Sequence, residues 1–189
     1  PAPVAATAPI PELSGRPYVL AIGTIERRKN LPTLVRGFGM VAAAQPHLRL
    51  VLAGGSGDDI DAVRAAIDAL PADAARRVML TGRVDDGVRG WLLHHAAVLA
   101  YPSLDEGFGF PLLDAMRAGV PIVSWTPVGV ELLHRSARVD SPAKAAELVR
   151  AWIRDRSSAS DQISSHHHEA IRHELPIVIR DYESLYSLF

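Results

Sequence analysis

Short apolar segments alternate along this chain with longer segments whose apolar residues recur at helical spacing. We predict strands over residues 18–22, 48–53, 78–80, 97–101 and 122–124. Helices are predicted over residues 31–45, 60–70, 88–94, 112–118 and 145–153, with one or two more over 169–189, interrupted at Pro176. Strands that alternate with helices through short connections form a parallel sheet with helices on both faces. The predicted fold class is therefore α/β, with three layers.

The composition indicates a folded domain and argues against several classes of function. Hydrophobic residues make up 48% of the 189 residues and charged residues 22%, which provides for a core and argues against disorder. The formal net charge of -1 gives no general case for nucleic acid or an anionic membrane as partner. Without cysteine there is no disulfide scaffold and no thiolate metal site. No apolar run approaches the roughly 20 residues that a membrane-spanning helix needs.

The first residues differ in composition from the rest. Residues 1–16 are rich in proline and alanine and lack the basic-then-apolar order of a signal peptide. We therefore predict a linker or inter-domain segment over 1–16 and one ligand-binding domain over 17–189. The absence of cysteine fits a reducing compartment, so the expected location is the cytoplasm, including the inner face of the cell membrane.

A glycine-bearing loop after the fourth predicted strand runs directly into a predicted helix. Gly107 and Gly109 allow unusual backbone angles and a close approach of the main chain to a ligand. Pro111 has the fixed φ that suits the first position of a helix. Backbone N–H groups at such a helix N-terminus form an anion site, and open α/β sheets bind ligands at the carboxyl ends of their strands. This loop–helix junction is the leading candidate for a binding site.

Two carboxylates, Glu106 in the loop and Asp114 on the helix, are separated by seven residues within the string EGFGFPLLDAM. This string resembles the Glu-x7-Glu signature, EGFGLPLLEAM, of the retaining GT-B glycosyltransferases, the large family that includes sucrose synthases and bacterial mannosyltransferases. It departs from that signature at Phe110 and at Asp114. The resemblance implies that the chain is one Rossmann-like half of a GT-B fold, the C-terminal half that binds the sugar donor.

The turn after the first predicted strand, GTIERRKN, resembles the GTLEPRKN segment of the same family. Arg28 and Lys29 follow a strand end, where they could clamp a pyrophosphate; a solvated basic turn is the alternative. Thr24 stands where many relatives have an arginine, and Arg27 where proline is usual. Asn30 is predicted to cap the following helix.

Three other segments contain residues typical of ligand or metal sites. Gly82, Arg83 and Val84 resemble the segment whose backbone lies against the nucleobase. The glycine-rich run 54–57 lacks the Lys-Ser/Thr of a P-loop and the spacing of a dinucleotide fingerprint, so a tight turn is predicted. The adjacent histidines 166–168 point to different faces of a helix, which favours a solvated face over a metal site. No metal is predicted.

The resemblance assigns a role to each candidate residue. The donor sugar and its phosphates are expected to bind to Arg28, Lys29, Gly107, Phe108, Gly109, Phe110 and Leu112. The nucleoside is expected to bind to Arg83, Val84 and Asp114. Glu106 is the expected catalytic residue, acting by positioning and electrostatics. Aspartate is one methylene shorter than glutamate, so the ribose contact of Asp114 is weaker or passes through water; a hydrogen bond to a charged group is worth ~1.5–3 kcal/mol.

The expected function is transfer of a hexose, mannose or glucose-like, from GDP-mannose or a UDP-hexose to a glycan or lipid-linked acceptor, as in polysaccharide biosynthesis. Retention of configuration and independence of metal are implied by the resemblance, and no cofactor beyond the nucleotide sugar is expected. The resemblance also implies an N-terminal acceptor domain outside residues 1–189, joined in cis or carried by a separate chain.

Three alternatives remain open from the residues alone. The departures at Thr24, Arg27 and Asp114 suit a non-catalytic nucleotide-sugar-binding subunit. A glycoside hydrolase would use Glu106 and Asp114 as a carboxylate pair ~5–9.5 Å apart. A nucleotide-sugar epimerase has the same architecture, but the GFGFP string argues against it.

Overall fold

A parallel five-stranded sheet forms the centre of the molecule. The computed structural model describes residues 10–105, 109–125, 139, 141–155, 159–160 and 163–164. The strands are β1 (Tyr18–Ile22), β2 (Arg49–Ala53), β3 (Val78–Gly82), β4 (Val98–Tyr101) and β5 (Ile122–Ser124). All neighbouring pairs are parallel. The predicted α/β class is confirmed, and each predicted strand is present with bounds that shift by no more than two residues.

Helices connect the strands. They are α1 (Leu31–Ala42), α2 (Ile60–Asp68), α3 (Ala72–Ala75), α4 (Asp86–His95), α5 (Phe110–Arg117) and α6 (Pro142–Arg154). The helix α3 and two 3₁₀ turns, Pro11–Leu13 and Arg27–Lys29, are additions to the prediction. They are too short to show a helical period. The helices predicted over 169–189 lie outside the described residues, and the described helices contain none with the length and apolar character for crossing a bilayer.

The order of the strands, β3-β2-β1-β4-β5, reverses at β1. The chain first moves outward from β1 to β2 and β3, and then crosses back to place β4 on the other side of β1. In open α/β sheets the crevice at such a reversal, outside the carboxyl ends of the strands, is where ligands bind. The turn after β1 and the loop after β4 both lie at this point.

The sheet separates two apolar clusters because successive side chains of a strand point to opposite faces. Val19 faces the first cluster and Leu20 the second. The cluster on the first face includes Leu34, Val35, Phe38, Val63 and Trp152, from α1, α2 and α6. The cluster on the second face includes Leu92, Leu93, Leu112 and Met116, from α4 and α5. Helices on both faces are thus confirmed, and the burial of both strand faces explains why the strands read as continuous apolar runs.

The predicted linker is partly packed onto this domain. Leu13, in the first 3₁₀ turn, is 2% exposed and belongs to the second cluster. Residues 1–9 lie outside the described part of the chain. The division at residue 16 therefore stays a prediction, although the packing of Leu13 places at least the end of that segment against the domain.

Two polar contacts stabilise the edge of the sheet where the strands begin. The Tyr18 hydroxyl donates to the carbonyl of Leu92 over 2.7 Å, and burial raises the pKa of this tyrosine. Arg77, just before β3, donates to three carbonyl oxygens at the end of α1 and in the following turn, those of Ala42, Gln45 and Leu48. This amino-terminal edge lies at the opposite end of the strands from the crevice.

Candidate functional site

Lys29 lies at the strand reversal, in the 3₁₀ turn after β1. It is only 7% exposed, and its ammonium is 5.0 Å from the centre of the Tyr101 ring, at the end of β4. This is within the range of a cation–π contact. A Cβ atom on Gly23, which has φ +133°, would lie 3.3 Å from Cε of Lys29. The glycine therefore leaves room for the lysine, and the cation is held between the two strands where the crevice opens.

Arg28 connects the turn after β1 to the loop after β4. Its carbonyl accepts a hydrogen bond from the amide of Leu104 over 2.7 Å. Its guanidinium contacts the Glu26 carboxylate at 2.8 Å and the carbonyl of Asp105 at 3.5 Å. The predicted basic pair is thus present at the mouth of the crevice, with the guanidinium held beside the loop that leads to α5.

Asn30 has a different role from the predicted one. It occupies the position before α1, but it is left-handed, with φ 51°, and its side chain makes no capping bond to the helix. The capping prediction was wrong because a side-chain cap requires an extended backbone at that residue. The amide nitrogen of Asn30 instead donates to the carbonyl of Pro102 over 3.4 Å, and its oxygen accepts from the Thr33 hydroxyl over 2.7 Å. It is a second connection between the two loops.

The glycine-rich turn after β2 supports the turn after β1, which confirms the tight-turn interpretation. A Cβ atom on Gly54 would lie 1.9 Å from the carbonyl oxygen of Gly23, and one on Gly57 would lie 2.5 Å from that of Ile25. The side chain of Asp58 also accepts a hydrogen bond from the amide of Arg27 over 3.1 Å. These glycines bring two backbones together.

Helix α5 begins at the crevice, two residues earlier than predicted. Gly109 precedes it with φ +79°, and Phe110, its first residue, is 41% exposed. The side chain of Leu112 is fully buried, and its amide donates to the carbonyl of Gly109 over 2.9 Å, so this amide is already used. Glu106, Gly107 and Phe108 lie outside the described residues.

Arg83 and Val84 lie between β3 and α4. Arg83 is exposed, whereas Val84 is half-buried against the second cluster. Asp85 caps α4 by accepting from the amide of Val88 over 2.8 Å. Among the hydrogen bonds and ion pairs of the described residues, none joins Arg83 or Val84 to Arg28, Lys29 or α5.

Asp114 on α5 forms an ion pair that the sequence reasoning did not foresee. Its Oδ2 atom contacts Nη2 of Arg89, on α4, and the two side chains are 30% and 35% exposed. They line an open cleft of about 370 Å³ between the two helices. The other residues that line it are Asp86, Gly90, Leu93, His94, Arg117 and Ala118. No local pattern could show this pair, because it forms only when α4 packs beside α5.

Comparison with known proteins gives a consistent family and fold. Residues 16–155, well over half of the chain, match the sequence family described as "Glycosyl transferases group 1". O-antigen chain mannosyltransferase B of Escherichia coli is 33% identical over 113 residues, which cover 59% of this chain and 29% of that protein. The chain thus spans less than a third of the length of this curated relative.

Solved structures share the fold. HepE of Anabaena, determined in complex with UDP-glucose, superposes with a TM-score of 0.76 at 19% identity, over 93% of this chain and 50% of that one. The C-terminal domain of LpcC, a glycosyl transferase group 1 family protein of Francisella tularensis, gives a TM-score of 0.73 at 15% identity, over 83% of this chain and 85% of that one. The predicted Rossmann-like half of a GT-B fold is confirmed.

Proposed function

Because the chain belongs to the glycosyl transferases group 1 family, we propose that it is the donor-binding domain of a retaining, metal-independent hexosyltransferase. The observation that carries this proposal is the buried cation of Lys29 at the strand reversal, beside Tyr101 at the end of β4. The donor is a nucleoside diphosphate sugar, GDP-mannose or a UDP-hexose. Two similarities support that class: the mannosyltransferase relative, and the UDP-glucose bound to HepE.

The first support is the position of two neighbouring cations at the carboxyl edge of the sheet, where open α/β sheets bind ligands. Lys29 is held by packing against Tyr101 and Gly23, and Arg28 lies next to it in the same turn. A pyrophosphate bound in the crevice would interact favourably with both cations and with the positive end of the α5 dipole.

The second support is the chemistry that hexose transfer requires. The bond between the anomeric carbon and the β-phosphate oxygen breaks, and its electron pair stays on the departing diphosphate. The acceptor oxygen forms the new bond on the same face, and its proton passes to the leaving phosphate. The charge that develops on that phosphate would be stabilised by Arg28, Lys29 and the N-terminus of α5. These groups would replace a divalent cation.

Glu106 and the nucleoside residues complete the proposal. Glu106 would position the donor sugar, with Gly107 and Phe108 beside it. Asp114 would contact the ribose, and the segment of Arg83 and Val84 the base. An N-terminal domain, in cis or in a partner chain, would bind the glycan or lipid-linked acceptor. The chain covers 50% of HepE, which fits this division of labour. A cytoplasmic site of action, where nucleotide sugars are available, is part of the same proposal.

Calorimetry of residues 1–189 with UDP, GDP and ADP, in EDTA, tests the proposal. One diphosphate should bind with millimolar or better affinity, and Lys29→Met should weaken it by at least about tenfold, as expected for a lost charged hydrogen bond. Lys144→Met is the matched control, because Lys144 is an exposed lysine paired with Glu147 on α6. Absence of binding, binding only with added metal, or equal losses in both variants would contradict the proposal.

A non-catalytic binding subunit is the second candidate, favoured by Thr24, where many relatives have an arginine, and by Asp114, where the family signature has glutamate. Both candidates bind the nucleotide sugar, so the distinction needs turnover. With an acceptor-binding domain supplied, the enzyme transfers labelled hexose and loses this activity in Glu106→Gln. A subunit shows the same binding without Glu106-dependent transfer.

A further inference from the structure

We infer that Arg89 is a specificity-determining residue, which forms with Asp114 a donor–acceptor pair that recognises the two neighbouring hydroxyls of a ribose. The inference rests on the proposed function and adds to it a residue on α4 that no family signature pointed to. Its basis is the Arg89–Asp114 contact across the α4–α5 cleft.

The first step is the state of the Asp114 carboxylate. Arg89 contacts only one of its oxygens, Oδ2. Within the described residues, the other oxygen, Oδ1, has no hydrogen-bond partner, and the side chain is 30% exposed. The ion pair therefore holds the carboxylate in one orientation while leaving an acceptor available to the cleft.

The second step is the state of the Arg89 guanidinium. A guanidinium carries five N–H donors in a rigid planar fork. The contact with Asp114 uses one nitrogen, Nη2, and the side chain is 35% exposed. Within the described residues the other guanidinium nitrogens have no hydrogen-bond partner, so their donors are available to a ligand in the cleft.

The third step is the position of the pair. Arg89 is in the first turn of α4 and Asp114 in the second turn of α5, and both helices begin at the carboxyl edge of the sheet. The pair is thus close to the end of α5 that the proposed diphosphate would face. The cleft of about 370 Å³ also has small residues, Gly90 and Ala118, in its lining. There is room for a pentose.

The fourth step is chemical complementarity. Each hydroxyl of a vicinal diol is both a donor and an acceptor. A carboxylate oxygen can accept from one hydroxyl while a guanidinium N–H donates to the other, so the pair matches a ribose better than either side chain alone. A 2′-deoxyribose offers only half of this match.

The experiment compares a ribonucleoside diphosphate with its 2′-deoxy form, using the base that binds best to residues 1–189. Wild type should prefer the ribo form by about tenfold, the effect of one charge-assisted hydrogen bond. Arg89→Met, which keeps the length of the side chain, should reduce that preference to about twofold or less. Arg89→Lys keeps the charge but not the planar fork of donors, so its preference for the ribo form should lie between those of wild type and Arg89→Met. Inorganic pyrophosphate should bind equally to wild type and to Arg89→Met.

Each outcome separates this inference from the proposed function. If wild type binds no nucleoside diphosphate, both fail. If wild type binds but shows no ribo preference, or keeps it in Arg89→Met, Arg89 is only a structural partner of Asp114 and the inference alone fails. A melting temperature is measured for each variant, because a merely structural role would lower stability without changing the ratio of the two affinities.

Discussion

The amide of Leu104 donates to the carbonyl oxygen of Arg28 over 2.7 Å, which joins the loop after β4 to the turn after β1. Asn30 adds a second connection through its bond to the carbonyl of Pro102. The basic residues and the loop that leads to α5 are therefore positioned relative to each other by direct bonds. A change in one of these connections should alter affinity at the proposed donor site as well as stability.

Asn30→Ala should lower both stability and nucleotide affinity. Alanine loses the amide bonds and keeps a Cβ in the left-handed region, which asparagine tolerates through local hydrogen bonds of its side chain and alanine does not. Asn30→Gly keeps the backbone angle without strain and loses only the side-chain bonds, worth about 1 kcal/mol. Urea unfolding should rank wild type, glycine and alanine in that order. The connection is unimportant if the glycine variant binds nucleotide as tightly as wild type does.

Gly54→Ala should be strongly disruptive and Gly55→Ala nearly neutral. At Gly54 the new Cβ would lie 1.9 Å from the carbonyl oxygen of Gly23, whereas at Gly55 nothing lies within 4 Å. Overpacking typically costs about 1–3 kcal/mol. The displaced Gly23 turn carries Lys29, so diphosphate affinity should also fall in the first variant, as measured by calorimetry at equal folded fraction. Similar behaviour of the two alanine variants would argue against this packing.

Gly109→Ala and Gly119→Ala separate backbone strain from ligand binding. Both glycines have positive φ, +79° and +64°, so alanine imposes similar strain of about 1–2 kcal/mol at either. Gly109 precedes α5 at the crevice, whereas Gly119 follows it at the far end. Thermal unfolding should show comparable losses of stability in the two variants. Only Gly109→Ala should weaken pyrophosphate binding, and an equal effect of Gly119→Ala would contradict an anion site at the start of α5.

Tyr18→Phe should change how stability depends on pH. Burial raises the pKa of Tyr18 above its unfolded value near 10, so its contribution is complete below that pH and is lost as the pH rises above it. At pH 8 the phenylalanine variant should be less stable by about 1 kcal/mol, because the bond to Leu92 is removed. Above pH 10 the wild type should lose stability faster, by up to about 1.4 kcal/mol per pH unit. Urea unfolding at pH 8, 10 and 11 measures the difference; a constant gap would refute the assignment.

The sequence predicted the sheet well because β1, β2, β4 and β5 are largely buried on both faces, whereas the edge strand β3 is only partly buried. A strand such as β4, with every residue buried, is a plain apolar run between turns. Likewise α1 shows its helical period because one face packs on the sheet. By contrast, the four-residue α3 is shorter than any period that can be read. The strand order, set by contacts between distant segments, is not visible in a local pattern.

The site was predictable only in part, for related reasons. Arg28 and Lys29 follow a strand end, and strand ends of a parallel sheet share an edge, so their position could be reasoned from the chain. The Arg89–Asp114 pair needs two helices to pack side by side. Asn30 shows the limit of a local rule: an asparagine before a helix is usually a cap, but its left-handed backbone turned the side chain to another loop.

The three bonds that Arg77 makes to carbonyl oxygens near the end of α1 lie at the edge of the sheet away from the crevice. The contacts that sustain the fold there are therefore physically separate from those proposed to recognise the donor. A lineage could alter its choice of sugar nucleotide at one edge and recover lost stability by substitutions at the other. Laboratory evolution of this domain could follow the same route, with libraries at the crevice and compensating changes around Arg77.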